Sequence, residues 1–110
     1  MNIEKSTIYE MLKQLEIPPF HDGFKYLVEL IDHMIHYPCS FMEGYAYVAS
    51  KFDKTATQVE QCMRTVVHDI NINLEFCKII FGTSIDKLDH LKISYVVNGI
   101  INYLVYTTKR

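Results

Sequence analysis

The sequence of 110 residues predicts an all-α fold, a compact bundle of five or six helices that contains a helix-turn-helix. Apolar side chains recur at intervals of three and four residues, and no segment shows the alternation typical of strands. Only four glycines and three prolines interrupt the chain. We expect a single domain over residues 1–110, with the helix-turn-helix at about 42–69 and a flexible tail at about 107–110.

Capping and proline signals delimit the first two helices. Thr7 and Glu10 have the spacing of a capping box. The Pro-Pro pair at 18–19 ends the first helix, because a residue before proline is forced out of the α region. The second helix is expected to begin near Asp22 and to end before Pro38. Its apolar face consists of Phe24, Leu27, Val28, Ile31, Met34 and Ile35.

Two helices joined by a turn of about three residues form the predicted helix-turn-helix. The first runs from about Phe41 to Phe52, and Thr55 with Gln58 offers a capping box for the second. So short a turn makes the helices cross sharply, and Ala49 is small enough for a close crossing. We expect the second of them to bury Ala56, Val59, Met63, Val66, Val67 and Ile70.

The C-terminal third predicts a short helix at about 74–81, ended by Gly82, and a last helix that begins after Asp86 or Asp89. The last helix is more apolar than one buried face requires. Its tyrosines have two interpretations: they complete the core, or they form a self-association or partner-binding surface. The candidates for that surface are Tyr95, Tyr103 and Tyr106.

Composition excludes several functional classes. Eleven basic and thirteen acidic side chains give a net charge of −2, which argues against a strongly basic nucleic-acid binder. Three cysteines without a C-x-x-C pair argue against a disulfide framework and indicate a reduced, intracellular protein. No signal peptide or membrane span is evident, so we expect a cytoplasmic protein with no membrane partner.

Catalytic and metal chemistry have no positive support in the sequence. His33, His36 and Cys39 have a spacing that could hold zinc, but Pro38 breaks the helix and no second ligand cluster follows. No phosphate-binding glycine loop or catalytic signature occurs. We therefore expect no metal, no cofactor and no enzymatic activity.

The buried face of the fourth helix leaves a polar face exposed. Glutamine can pair with adenine, and arginine can bridge guanine or hold a phosphate, so this face suits the major groove. Glu60 could accept from cytosine or hold Arg64 four residues on. The alternative is an ordinary solvated face of an amphipathic helix. The candidate DNA-binding residues are Thr57, Gln58, Glu60, Gln61, Arg64, Thr65 and His68.

Four stretches carry a resemblance to a known family: Leu15-Glu16-Ile17-Pro18, Gly23-Phe24-Lys25-Tyr26-Leu27, Tyr47-Val48-Ala49-Ser50-Lys51-Phe52 and Thr55-Ala56-Thr57-Gln58-Val59-Glu60-Gln61-Cys62-Met63-Arg64. Over about residues 9–106 the chain resembles the C-terminal effector domain of the sporulation initiation response regulator (stage 0 sporulation protein A). The resemblance implies six helices, the fourth of which reads a short DNA box. The resemblance also implies which residues of this helix contact the DNA bases: Gln58, Glu60, Gln61, Arg64 and Thr65.

The chain also departs from that family. The family's recognition helix is rich in arginine, whereas Gln58 and Gln61 stand at two positions that resemble those arginines, and Thr65 stands at a histidine position. The charged residues from 40 to 70 sum to −1. Fewer cations mean weaker sequence-independent affinity, so altered specificity and loss of DNA binding both stay open.

Two functions follow as expectations. The first is a sequence-specific transcription regulator that binds double-stranded DNA, without the receiver domain that precedes the effector domain in the family, and that gains affinity as a homodimer. The alternative is a protein-interaction module on the same fold that has lost DNA binding and modulates another regulator.

Overall fold

The computed structural model describes residues 3–14, 17, 19–68 and 92–108, and these contain five helices and no strand. The helices are α1 (Lys5–Gln14), α2 (Asp22–His36), α3 (Phe41–Phe52), α4 (Ala56–His68) and α5 (Ile93–Thr108). The all-α fold and the helix-turn-helix, formed by α3 and α4, are confirmed. The short helix predicted at about 74–81 lies outside the described residues.

Two helix boundaries differ from the prediction. Helix α1 begins at Lys5, so Thr7 lies inside the helix and the predicted capping box with Glu10 is wrong. The Thr7 N–H instead donates to the carbonyl of Glu4 at 3.0 Å. Helix α5 continues through Thr108, beyond residue 107 where the flexible tail was predicted to start. The Thr107 hydroxyl donates to the carbonyl of Tyr103 at 3.0 Å.

Helix α2 lies at the centre of the fold and packs against each of the other four helices. The side chains that it buries completely or nearly so are Phe24, Leu27, Leu30 and Ile31. The ring of Tyr9 from α1 meets Phe24 edge-on, with the centroids 4.9 Å apart. On α3, the ring of Phe52 lies 5.1 Å from that of Tyr26. The apolar face predicted for this helix is therefore the scaffold on which α3 and α4 are held.

Two glycines allow the helices to approach closely. A Cβ atom at Gly23 of α2 would lie 1.9 Å from a methyl group of Val66 and 2.5 Å from the carbonyl oxygen of Cys62, both on α4. A Cβ atom at Gly44 of α3 would lie 2.6 Å from a methyl group of Leu30 on α2. Ala49, predicted to allow the crossing of α3 and α4, is buried. The spacing between α2 and α4 thus depends on the missing side chain of Gly23.

One carboxylate links three helices. Glu29 of α2 accepts from the ammonium groups of Lys5 on α1 at 3.0 Å and Lys51 on α3 at 2.7 Å, and its side chain is only 13% exposed. Burial by itself would raise the pKa of Glu29, but the hydrogen bonds from Lys51 and Lys5 outweigh it and the net pKa is lowered. The hydrogen bond to Glu29 raises the pKa of Lys51.

This linkage predicts an acid-sensitive part of the stability. Because the pKa of Glu29 is lower in the folded state, its contribution is full above the ordinary glutamate pKa of 4.5 and is lost as the pH falls through the folded-state value. At about pH 7, Glu29→Gln should cost about 1–2 kcal/mol of unfolding free energy in urea titrations. Wild type and variant should converge once the pH has fallen below the lowered folded-state pKa of Glu29. The control, Glu10→Gln, changes an exposed carboxylate 4.0 Å from Lys13. An equal effect of both substitutions would contradict this assignment.

Candidate nucleic-acid interface

The turn between α3 and α4 has three residues, as the sequence predicts. Ser40 caps α3, since its hydroxyl oxygen accepts from the N–H of Glu43 at 3.1 Å. The residue after the helix, Asp53, caps its C-terminal end, and its φ of 55° lies in the left-handed region that aspartate tolerates better than most side chains do. The N–H of Lys54 then donates to the carbonyl of Ala49 at 2.8 Å. These contacts set the direction in which α4 leaves the turn.

The capping box at the start of α4 is confirmed. The N–H of Gln58 donates to the hydroxyl oxygen of Thr55 at 3.1 Å, and the N–H of Thr55 donates to the side-chain carbonyl of Gln58 at 3.0 Å. Reciprocal bonds of this kind satisfy two backbone donors at a helix start. Gln58 therefore has a structural role that engages one end of the amide with which it would read a base.

Helix α4 buries Val59, Met63, Val66 and Val67, as predicted, whereas Ile70 lies outside the described residues. Ala56, which was expected in this set, is exposed because it lies in the first turn, and the core contacts of α4 begin at Val59. The opposite face brings together most of the predicted DNA-binding residues. Five of them are exposed and Glu60 is partly so; the side chain of His68 lies outside the described part. The exposed ones are Thr57, Gln58, Gln61, Arg64 and Thr65.

Several side chains on this face already have partners within the helix. The guanidinium of Arg64 is ion-paired with Glu60, which is one of the two roles left open for that carboxylate. The hydroxyl of Thr65 donates to the carbonyl of Gln61 at 3.0 Å. Nearby on α3, burial raises the pKa of Tyr45, the charge of Glu60 adds to the rise and that of Arg64 opposes it. Contact with a base or phosphate would thus compete with bonds within α4.

A cleft of about 410 Å³ lies beside this face, between the start of α2, the turn and α4. Gln58, Gln61 and Thr65 line it from α4. The residues that line it from elsewhere include His21, Asp22, Tyr26 and Lys54. Sequence reasoning identified the α4 residues but missed His21 and Lys54. The position of Lys54 in the turn, next to the cap, was the signal that could have identified it.

The two histidines considered for zinc have other partners. The ring of His33 stacks on Tyr47 with the centroids 3.8 Å apart, and Nδ1 of His36 lies 2.8 Å from the carbonyl of Asp32. Burial, with a smaller effect of the charge of Glu43, raises the pKa of the Cys39 thiol. Among the described residues, no three potential ligands converge in a way that would hold a metal ion.

The tyrosines of α5 do not form one continuous surface. Tyr95 and Tyr106 are exposed, and their separation of eleven residues, about three turns, places them on the same face. Tyr103 is partly buried and packs against the core. The position of Tyr103 therefore favours the first interpretation, in which this tyrosine completes the core. Self-association through Tyr95 and Tyr106 stays a prediction.

A short turn, a capped second helix and an exposed polar face on that helix define a helix-turn-helix domain. The family model described as "Sporulation initiation factor Spo0A C terminal" matches residues 8–104, and the chain belongs to this family. It is a family of helical DNA-binding domains, not of enzymes. No curated protein and no solved structure matches the chain.

Within the described residues, no helix combines the length and the apolar character that crossing a bilayer would need.

Proposed function

We propose that this chain is a sequence-specific transcription regulator of the sporulation effector class, with α4 in the major groove of double-stranded DNA. The observation that carries the proposal is the exposed polar face of α4, presented by a capped helix in a helix-turn-helix. In this geometry the second helix leads with its N-terminal residues and the first lies across the backbone. As part of this proposal, the protein acts in the cytoplasm.

Each residue of the face has a separate role in this proposal. Gln61 is exposed, and its side-chain amide makes no hydrogen bond to the described residues, so it can pair with adenine. Arg64 reads guanine or holds a phosphate after release from Glu60. Thr57 lies in the first turn, where a hydroxyl suits a phosphate oxygen. The remaining members of the proposed interface are Gln58, Glu60, Thr65 and His68.

Fluorescence anisotropy with the family's DNA box and with a random duplex tests this function. Wild type should bind the box more tightly than the random duplex, with an affinity that falls as salt is raised. Arg64→Ala should weaken binding to the box by about tenfold or more, because a bidentate contact to guanine contributes about 1–3 kcal/mol. Failure of the wild type to bind either duplex at low salt would reject the proposal.

A second candidate function is a protein-interaction module that has lost DNA binding and modulates another regulator. The observation that favours it is that polar side chains on the exposed face of α4 already bond within the protein. Arg64 is ion-paired with Glu60, and the side-chain amide of Gln58 caps the helix. In that case Tyr95 and Tyr106 would contact either a second copy or the other regulator. A monomeric profile in light scattering, together with no co-purifying regulator protein, would reject this alternative.

A further inference from the structure

The lysine and arginine side chains of the helix-turn-helix, residues 41–68, differ in whether a carboxylate neutralises them. Lys51 lies 2.7 Å from Glu29, and Arg64 is paired with Glu60. The third cation of this segment is Lys54, and no carboxylate oxygen of the described residues lies within 4 Å of its ammonium group. Because attraction of DNA depends on cations that are not already paired, Lys54 is the cation of this motif that no described carboxylate neutralises.

The position of Lys54 brings this charge to the proposed reading face. Lys54 immediately precedes the cap residue Thr55 and lines the same cleft as Gln58, Gln61 and Thr65. A phosphate in this cleft would therefore lie beside the side chains that are proposed to contact the bases. Contacts to the backbone of this kind fix the register of a recognition helix in the groove.

The backbone at the start of α4 has further unused donors close to Lys54 along the chain. Thr55 satisfies the N–H groups of Gln58 and Val59, through its hydroxyl and its carbonyl at 3.1 Å each. The N–H groups of Ala56 and Thr57 have no acceptor among the described residues, and both residues are exposed. Free N–H groups and the positive end of the helix dipole favour an anion at this position.

The other charged groups of the cleft leave this site available. Asp22 lines the cleft, but its carboxylate lies 3.9 Å from the ammonium of Lys25, which offsets its charge. Nδ1 of His21 accepts from the N–H of Gly23 at 3.0 Å, so the neutral ring carries its one proton on Nε2, where it can donate to an anion. Among the described residues that line this cleft, Lys54 is the only lysine or arginine.

We propose that Lys54 binds a DNA phosphate at the N-terminal end of α4 and is the main electrostatic contact that the described helix-turn-helix makes with DNA. This inference rests on the proposed function and adds to it a residue outside the predicted reading set. It also explains how a recognition helix with a single, internally paired arginine holds a duplex. The site is independent of base sequence, since a phosphate is present at every step of the strand.

Anisotropy titrations over a series of salt concentrations test the assignment with Lys54→Gln. The slope of log affinity against log salt should fall by about 0.9, and affinity at about 0.1 M salt should fall about fivefold to tenfold, equally for the box and the random duplex. Lys54→Arg should restore both values. The matched control is Lys13→Gln on α1, which removes the same charge from an exposed lysine and should change neither.

Two results would overturn the inference, and they are distinguishable. If the wild type binds DNA and Lys54→Gln keeps its slope and affinity, the assignment of Lys54 is wrong and the proposed function stands. If the wild type binds neither duplex at low salt, the proposed function and this assignment both fail. Circular dichroism of each variant verifies the fold, which an exposed turn residue is not expected to affect.

Discussion

Gly23→Ala is expected to destabilise the fold by about 3 kcal/mol, a large share of the stability of a small domain. The new methyl group would lie 1.9 Å from a methyl group of Val66 and 2.5 Å from the carbonyl oxygen of Cys62. A different rotamer of Val66 relieves the first overlap. The second involves the backbone of α4, so α2 and α4 must move apart, and this opens the core around Met63 and Val67.

Urea denaturation followed by circular dichroism measures this effect, and Gly44→Ala is the matched control. A Cβ atom at Gly44 meets the flexible end of Leu30 at 2.6 Å, and alanine inside a helix gains about 0.5–1 kcal/mol over glycine. Gly44→Ala should therefore be much less destabilising. If Gly23→Ala costs no more than Gly44→Ala, the close approach of α2 and α4 is not as described.

Glu60→Gln is expected to strengthen binding of this chain to DNA by about tenfold at low salt, since it releases Arg64 and removes one negative charge from the interface. The gain should appear on the random duplex as well as on the box, because charge repulsion from phosphates does not depend on base sequence. It should shrink as salt is raised.

Anisotropy with Glu60→Gln, Arg64→Ala and the double variant separates the two roles of the carboxylate. If Glu60 mainly holds Arg64, most of the gain should disappear in the double variant. The control is Glu10→Gln, which removes one negative charge from α1, outside the proposed interface. A loss of affinity for the box in Glu60→Gln would instead show that the carboxylate accepts from a base, the role that the ion pair does not support.

The sequence predicted the features of the site that depend on neighbours along the chain. Thr55 and Gln58 are three residues apart, so their reciprocal bonds need only a helix that starts between them. The exposed set on α4 followed from the apolar spacing of Val59, Met63 and Val66. Such features follow from helical geometry alone, whatever the rest of the fold does.

Features that depend on distant segments were not predicted. Gly23 has no side chain to mark it as a packing position, and its importance appears only when α4 lies against it. Glu29 joins Lys5 and Lys51, which lie 24 and 22 residues away, and no spacing rule connects them. Whether Lys54 has an ion-pair partner also depends on the positions of carboxylates from distant parts of the chain.

The sequence by itself therefore determined the five described helices, the turn, the cap of α4 and the family, because each is encoded in local spacing or in a stretch of matching residues. The tertiary structure decided how closely α2 and α4 approach, and which cations have partners. The physical reason is that the strength of an ion pair and the room for a methyl group both depend on distances across the fold. Among the residues that the structure describes, those distances leave Lys54, and not Arg64, without a carboxylate partner within 4 Å.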